Sequence, residues 1–339
     1  MGGWMPRGGE QLIDDEDYWR KRALHRWSKC EISGHGSSWK QLYFEKYIEE
    51  TIERFDPLLS DIDDLRRLLT FASPFVRNLI IQQIPSHIDL QIIFNCMPSA
   101  LCSLSLSYGM RNVGMDYDRS LFGMKLSDCR SLARSLETAE TLTHLNLSNN
   151  FLDDDKVRII CSGLVDNLSV THLDLSHNKI ADRGVRAISK LLQQRGVIAF
   201  LDLADNQIHS EGGRSLARVL KENKSLISIS LRLNRFGDDA GRAICDCVRN
   251  NTNLQRLNLS ANTLGEETAN SLALLLRVNS TLKEVDLSCN QFSEEAGTAI
   301  RDAVEENTGL KKLDLRLSSI SEDLEMSISE ILKDRMSFM

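Results

Sequence analysis

The sequence predicts an α/β leucine-rich-repeat solenoid: a horseshoe with a parallel inner sheet and outer helices, preceded by a small helical N-terminal region. Three observations predict it. First, the pattern Leu142-x-x-Leu145-x-Leu147-x-x-Asn150 returns as Val170, Leu173, Leu175, Asn178, then as Ile198, Leu201, Leu203, Asn206, and as Leu226, Ile229, Leu231, Asn234. Leu254, Leu257, Leu259, Asn262 follow, then Leu282, Val285, Leu287, Asn290, and last Leu310, Leu313, Leu315 with Ser318 in the Asn column, every step being 28 residues. Second, each copy turns from strand-like alternation to helical spacing, as in Val185, Ile188, Leu191, Leu192 or Leu272, Leu275, Leu276. Third, the composition breaks near residue 100: all four tryptophans (Trp4, Trp19, Trp27, Trp39) precede residue 40, and all five prolines (Pro6, Pro57, Pro74, Pro85, Pro98) precede residue 99.

One unit reads in order. The last two leucines of Leu-x-x-Leu-x-Leu alternate, so they share one face of a short strand and leave the other polar. The Asn column (Asn150, Asn178, Asn206, Asn234, Asn262, Asn290) then turns the chain, its amide bonding backbone groups that a buried turn would otherwise leave unmatched. An apolar residue follows two positions later, from Leu152 to Phe292. Asp154, Asp182, Ser210 and Asp238 stand where a helix begins, as N-cap residues, with Glu266 and Glu294 in the same column suiting the positive helix end. A degenerate unit with Leu101, Leu104, Leu106 and Gly109 is expected 41 residues before Leu142, the stretch from Tyr108 to Phe122 being its insertion.

A single unit cannot bury its own apolar face, so units must stack. Neighbouring strands lie about 4.8 Å apart and packed helices about 8–10 Å, and the mismatch curves the stack. Four regions result: a Trp-rich attachment region over 1–55, a helical cap over 56–100, repeats over 101–320 and a capping helix over 321–339. The cap is expected to be helical around Leu65–Phe71, Val76–Ile84 and Ile88–Cys96, and the final helix to turn Leu324, Ile328, Ile331 and Leu332 to the stack.

Composition excludes several classes. A net charge of −7 with 26% charged residues gives no electrostatic reason to expect nucleic acid or a membrane surface as partner. No apolar run reaches the roughly 20 residues of a membrane span. The N-terminus lacks the apolar core of a secretory signal, and Pro6 stands where a myristoylation site wants Ser or Thr. The eight cysteines are accordingly expected as reduced thiols. No catalytic set, cofactor site, metal site or small-molecule substrate site is expected. His172 and His177 have no third ligand, Cys245 and Cys247 lack the two-residue spacer of redox and zinc motifs, and Gly212, Gly213 and Gly237 are turn or packing glycines. The sequons at Asn167 and Asn279 have no role without secretion.

Protein is the remaining partner. The inner strand face carries mostly short polar residues, and only Phe200, Arg232, Arg256 and Arg316 are of the types that anchor interfaces. At the N-terminus, Trp19, Ala23 and Trp27 share one side of a helix, and Trp39, Leu42, Tyr43, Tyr47 and Ile48 form a second stripe beyond a Gly/Ser joint. Trp19, Trp27, Trp39 and Tyr43 are therefore either a partner's anchors or the core of a small cap.

The opening Asp14-Asp15-Glu16-Asp17-Tyr18-Trp19, then Lys21-Arg22, Arg26-Trp27, Ser38-Trp39-Lys40-Gln41-Leu42-Tyr43, a helical spacer and 28-residue repeats, resembles the dynein regulatory complex subunit 5 family, or T-complex-associated testis-expressed protein 1. The repeats themselves are of the ribonuclease-inhibitor-like class, and the N-terminal aromatic motif makes the distinction. The resemblance implies a structural subunit of the nexin–dynein regulatory complex, in the cytoskeleton of motile cilia and flagella. Its partners would be other subunits of that complex and nearby axonemal proteins. The chain is short at its N-terminus for that family. Two rival classes share parts of the pattern. F-box/leucine-rich-repeat ubiquitin-ligase receptors share the Trp-containing segment, but too few residues precede Asp14 for an F-box. Ran GTPase-activating proteins share the repeat class but usually end in an acidic tail, whereas this chain ends Lys333-Asp334-Arg335-Met336-Ser337-Phe338-Met339. Binding of the ligase adaptor and GTP hydrolysis by Ran discriminate them.

Overall fold

The computed structural model describes residues 13–86, 88–109, 118, 121–194 and 196–337, with side chains as far as Lys333. Trp4, Pro6 and most of the expected insertion between Tyr108 and Phe122 lie outside the described residues. The chain divides into two packing units, Met1–Asn146 and Leu147–Met339.

The first unit runs α1 (Glu16–Arg26), α2 (Trp39–Glu53), α3 (Ile62–Ala72), β1 (Asn78–Ile84), α4 (Gln91–Cys96), β2 (Ser103–Tyr108), α5 (Leu126–Thr138) and β3 (His144–Asn146). Leu104 of β2, from the stretch expected as a degenerate repeat, lies in register with Leu145 of β3, and both are buried. The segment Val76–Ile84, expected as a helix, is instead the strand β1, parallel to β2 with Leu79 opposite Leu104 and Ile81 opposite Leu106. The physical reason is legible afterwards. Pro74 and Pro85 confine the segment, Ile80 and Ile81 are β-branched, and Leu79 and Ile81 alternate with exposed Ile80 and Gln82.

The boundary expected at residue 55 does not separate an attachment arm from a cap. Trp19, Ala23, Leu42, Phe44, Ile48 and Ile52 of α1 and α2 are fully buried. The Trp19 ring lies 5.2 Å from both Tyr43 and Phe44, and Phe44 stacks on Phe75 at 5.0 Å, beyond that boundary. The Trp19 indole N–H also donates to the Ile13 carbonyl at 2.8 Å, so its one polar atom is matched. Helix α2 packs on β1, so residues 13–55 hold much of the interior of this unit.

The second unit alternates helix and strand: α6 (Asp154–Leu164), β4 (His172–Asp174), α7 (Asp182–Gln194), β5 (Phe200–Asp202), α8 (Ser210–Leu220), β6 (Ser228–Ser230), α9 (Gly237–Val248), β7 (Arg256–Asn258), α10 (Glu266–Val278), β8 (Glu284–Asp286), α11 (Glu294–Glu306), β9 (Lys312–Asp314) and α12 (Glu322–Ser337). Each strand pairs in parallel with the next, so Leu173, Leu201, Ile229, Leu257, Val285 and Leu313 form one in-register row. Each helix packs on the next, which is the leucine-rich-repeat arrangement. In the final helix Ile328 and Leu332 are buried, while Leu324 and Ile331 are half-buried.

Candidate protein-binding surface and its supports

The Asn column works as an inter-repeat clamp. The Asn206 amide donates to Leu203 O and Ala204 O in its own repeat and to Leu175 O in the preceding one, at 3.0–3.2 Å. Its Oδ1 accepts the Ile180 N–H at 3.0 Å. Asn178 and Asn290 each accept two amides of the preceding turn, from Asn150 and Leu152 and from Asn262 and Leu264. Asn234 accepts the Ile208 N–H. Asn262 makes the three amide donations, but its Oδ1 has no partner among the described residues: the preceding turn bends at Gly237 (φ +68°), whose N–H goes to the Asn262 carbonyl instead. We expect Asn206→Ala to cost roughly 1–3 kcal/mol, since buried carbonyls and an amide lose their partner, with thermal unfolding as the measurement.

A second asparagine row was not read from the sequence. Asn167, Asn223, Asn251, Asn279 and Asn307 are buried where each helix returns to the next strand. Their Oδ1 atoms accept the amides two and three residues on, such as Thr281 and Leu282 for Asn279. From Asn223 onward their amides reach back to the previous repeat, Asn279 to Val248 O, Arg249 O and Asn251 O. The apparent sequons at Asn167 and Asn279 are thus structural turns. Position 195, in the same column, lies outside the described residues.

The acidic column serves differently from the N-cap role expected of it. Asp154 Oδ1 accepts the Ala181 N–H, Asp182 Oδ1 accepts His209 and Gly212, Asp238 accepts Gly265, Glu267 and Thr268, and Glu294 accepts Ser321. Each carboxylate caps the helix of the following repeat. The capping bonds outweigh burial at Asp238 and hold its carboxyl below the usual range.

On the strand face, the middle column is mainly turn-forming. Asp174, Asp202, Asn258, Asp286 and Asp314 each accept the amide two residues on. Burial raises the Asp202 carboxyl, with Asp174 adding to it, against the opposing bonds from Ala204 and Ser230. Three side chains break this short polar surface in one place. The His172 and Phe200 rings stack at 4.1 Å, and the Arg256 guanidinium lies 5.3 Å from the Phe200 centroid, above Ser228 of the intervening strand. Phe200 is half-buried and Arg256 exposed. Arg232 is exposed two residues beyond the end of β6, four residues past Ser228. Arg316 is exposed but bonded to Asp314 at 2.6 Å, which holds the Asp314 carboxyl below its usual range. So His172, Phe200 and Arg256 come together, and among the described residues no ring or cation–π contact joins Arg232 or Arg316 to them.

In the first unit, Trp19 and Tyr43 are interior side chains and cannot anchor a partner. Trp27 and Trp39 are half-buried, Trp27 against Tyr43 at 5.4 Å and Trp39 under the Arg20 guanidinium at 5.8 Å. The functional residues missed here are three glutamates of α2. Glu45 accepts the Arg77 and Asn78 N–H groups, Glu49 that of Ile80 and Glu53 that of Gln82, at 2.7–2.9 Å. Spaced four apart on one helix face, they replace the carbonyls of a missing strand and close the β1 edge. Glu45 is fully buried and is also bonded by Gln41 and His35.

Burial pushes the Glu49 carboxyl up to about 7, against the lowering bond from Ile80. A carboxyl with a raised folded pKa binds its proton more readily in the folded chain. Its contribution therefore favours folding at acid pH and is lost as pH rises from the ordinary carboxylate range through about 7. Glu49→Gln keeps an acceptor for Ile80 and removes the titration, so its stability advantage over the wild type is expected to grow from about pH 5 to about pH 8 in urea unfolding.

Among the described residues, no group of three or more His, Cys, Asp or Glu side chains is placed to hold a metal ion. His177 pairs with Asp205 at 2.8 Å, apart from the His172–Phe200 stack. Cys245 is fully buried, its thiol pushed up to about 12, and Cys247 is half-buried. No helix among the described residues is long and apolar enough to cross a membrane.

A leucine-rich-repeat family model matches residues 166–189, 200–217, 222–245, 250–273 and 278–300. Dynein regulatory complex subunit 5 of Chlamydomonas reinhardtii is 61% identical over 148 residues, 44% of this chain and 38% of that protein. The mouse protein of the same name is 35% identical over 184 residues, 46% of this chain and 37% of that protein. The human one is 34% identical over 184 residues, 46% of this chain and 36% of that protein. The matched stretch thus spans well under half of each relative.

Proposed function

From the premise that this chain belongs to the dynein regulatory complex subunit 5 family, we propose that it is a non-catalytic scaffold subunit of the dynein regulatory complex in the axoneme of motile cilia and flagella. There it would bind neighbouring axonemal proteins and help regulate dynein-driven motility. The 61% identity to the Chlamydomonas protein carries this reading. The architecture supports it, because the polar residues most regularly repeated, the two asparagine rows and the acidic column, are consumed in joining one repeat to the next. What is left free is surface. Phe200, Arg232 and Arg256 are the proposed recognition residues, with Arg316 and the exposed edges of Trp27 and Trp39 as secondary contacts.

The test is expression of the tagged chain in Chlamydomonas cells lacking their own subunit. The chain is expected in detergent-extracted axonemes and to be released by salt together with the rest of the complex. A chain found wholly in the detergent-soluble fraction would overturn the proposal.

A further inference from the structure

In the second unit every strand except the last passes two amides to its successor. Leu259 N–H donates to Asp286 O at 2.8 Å and Leu287 N–H to Asp314 O at 2.9 Å. Two residues on, Ala261 donates to Ser288 O and Cys289 to Arg316 O, both at 2.9 Å. Leu315 and Leu317 hold these positions in the last repeat, and their N–H groups meet no backbone acceptor among the described residues. The apolar surface is open too. Leu317 is 79% exposed in a left-handed conformation (φ +57°), Met326 of α12 is 61% exposed, and Leu313 is half-buried where Val285 before it is buried. Ser318, in the place of the clamping Asn, is 1% exposed, and its hydroxyl has no partner among the described residues. By contrast, the β1 edge is closed by Glu45, Glu49 and Glu53.

We propose that the β9 edge is the seat of an extended strand from another protein, added parallel to β9. Side chains already in place define its chemistry. The in-register row Arg256, Glu284, Lys312 alternates in charge, and Lys311 is exposed beside it, so the next position takes a carboxylate. The adjacent row Leu257, Val285, Leu313 is apolar, so the following residue of the incoming strand is apolar. Its backbone carbonyls would receive the Leu315 and Leu317 N–H groups, and the strand would cover Leu313.

The probe is a synthetic peptide copying residues 282–290, Leu-Lys-Glu-Val-Asp-Leu-Ser-Cys-Asn with Ser for Cys289, which carries the acidic–apolar pair. At millimolar peptide, amide exchange at Leu313, Leu315 and Leu317 of the whole chain is expected to slow by about tenfold or more, and much less with a peptide carrying Glu284→Lys. No slowing would overturn the proposal. So would amides already protected in the chain alone, because a second copy or another segment of the same protein would then be the occupant. A second arm rests on the assembly proposed above: in axonemes that have taken up the chain, these amides should be protected. Unprotected amides in an incorporated chain overturn the strand seat while incorporation stands. Failed incorporation counts against the proposed function, and the peptide result decides the strand seat.

Discussion

Glu45→Ala is expected to destabilise the first unit by roughly 2–5 kcal/mol, because two part-buried backbone amides lose their fully buried acceptor. Those are Arg77 and Asn78, each 2.8 Å from one carboxylate oxygen, and Gln41 and His35 lose a partner with them. Glu45→Gln retains an oxygen for the two amides and is expected to recover part of the loss. All tryptophans precede residue 40, so their fluorescence reports this unit while circular dichroism reports the whole chain. The Trp transition of Glu45→Ala should move well below that of the wild type. An unshifted Trp transition would mean that α2 does not close the β1 edge.

Leu203→Ala is expected to cost roughly 2–5 kcal/mol by opening a cavity in the second unit. Leu203 is fully buried just beyond β5, and its N–H donates to Ser230 O in the next repeat. A solenoid is stabilised repeat by repeat and interface by interface, so the change weakens the stacking on both sides of one repeat. The Trp transition should stay in place while the main dichroism transition falls. Wild-type melting by both probes would place Leu203 outside the core.

The two results separate what could and could not be read from residue order. The repeat was legible because its signals are local: the alternation of Leu201 and Leu203, the turn at Asn206 and the helix body beginning at Ser210 follow within a few residues. Contacts between successive repeats were not. Asp182 stands at the start of its own helix and looks like its cap, but the stacking brings the amides of His209 and Gly212 to its carboxylate, and a side chain on Gly212 would come within 2.6 Å of Asp182 Oδ1. Asn279 was hidden by its resemblance to a glycosylation sequon. Glu45, Glu49 and Glu53 have the spacing of an ordinary solvent-facing helix stripe, and only the position of β1 makes them acceptors. The aromatic stripe of Trp19 and Tyr43 was ambiguous in principle, since a cap core and a docking face need the same residues at the same spacing. Burial decides for the core.

On the strand face, Phe200 and Arg256 were recognisable as unusual in their column, but not as neighbours. Parallel pairing sets them two strands apart across Ser228, close enough for the guanidinium to lie by the ring. Neither is buried, so the fold does not depend on them. That makes the double variant Phe200→Ser, Arg256→Glu the most direct test of the central claim, that this surface exists to bind protein. Serine already occupies the equivalent position at Ser228, so dichroism and melting should match the wild type. In axonemes lacking their own subunit, the account predicts that the bound fraction of the folded variant falls by about tenfold or more relative to wild type. Incorporation of the folded variant at the wild-type level would contradict it.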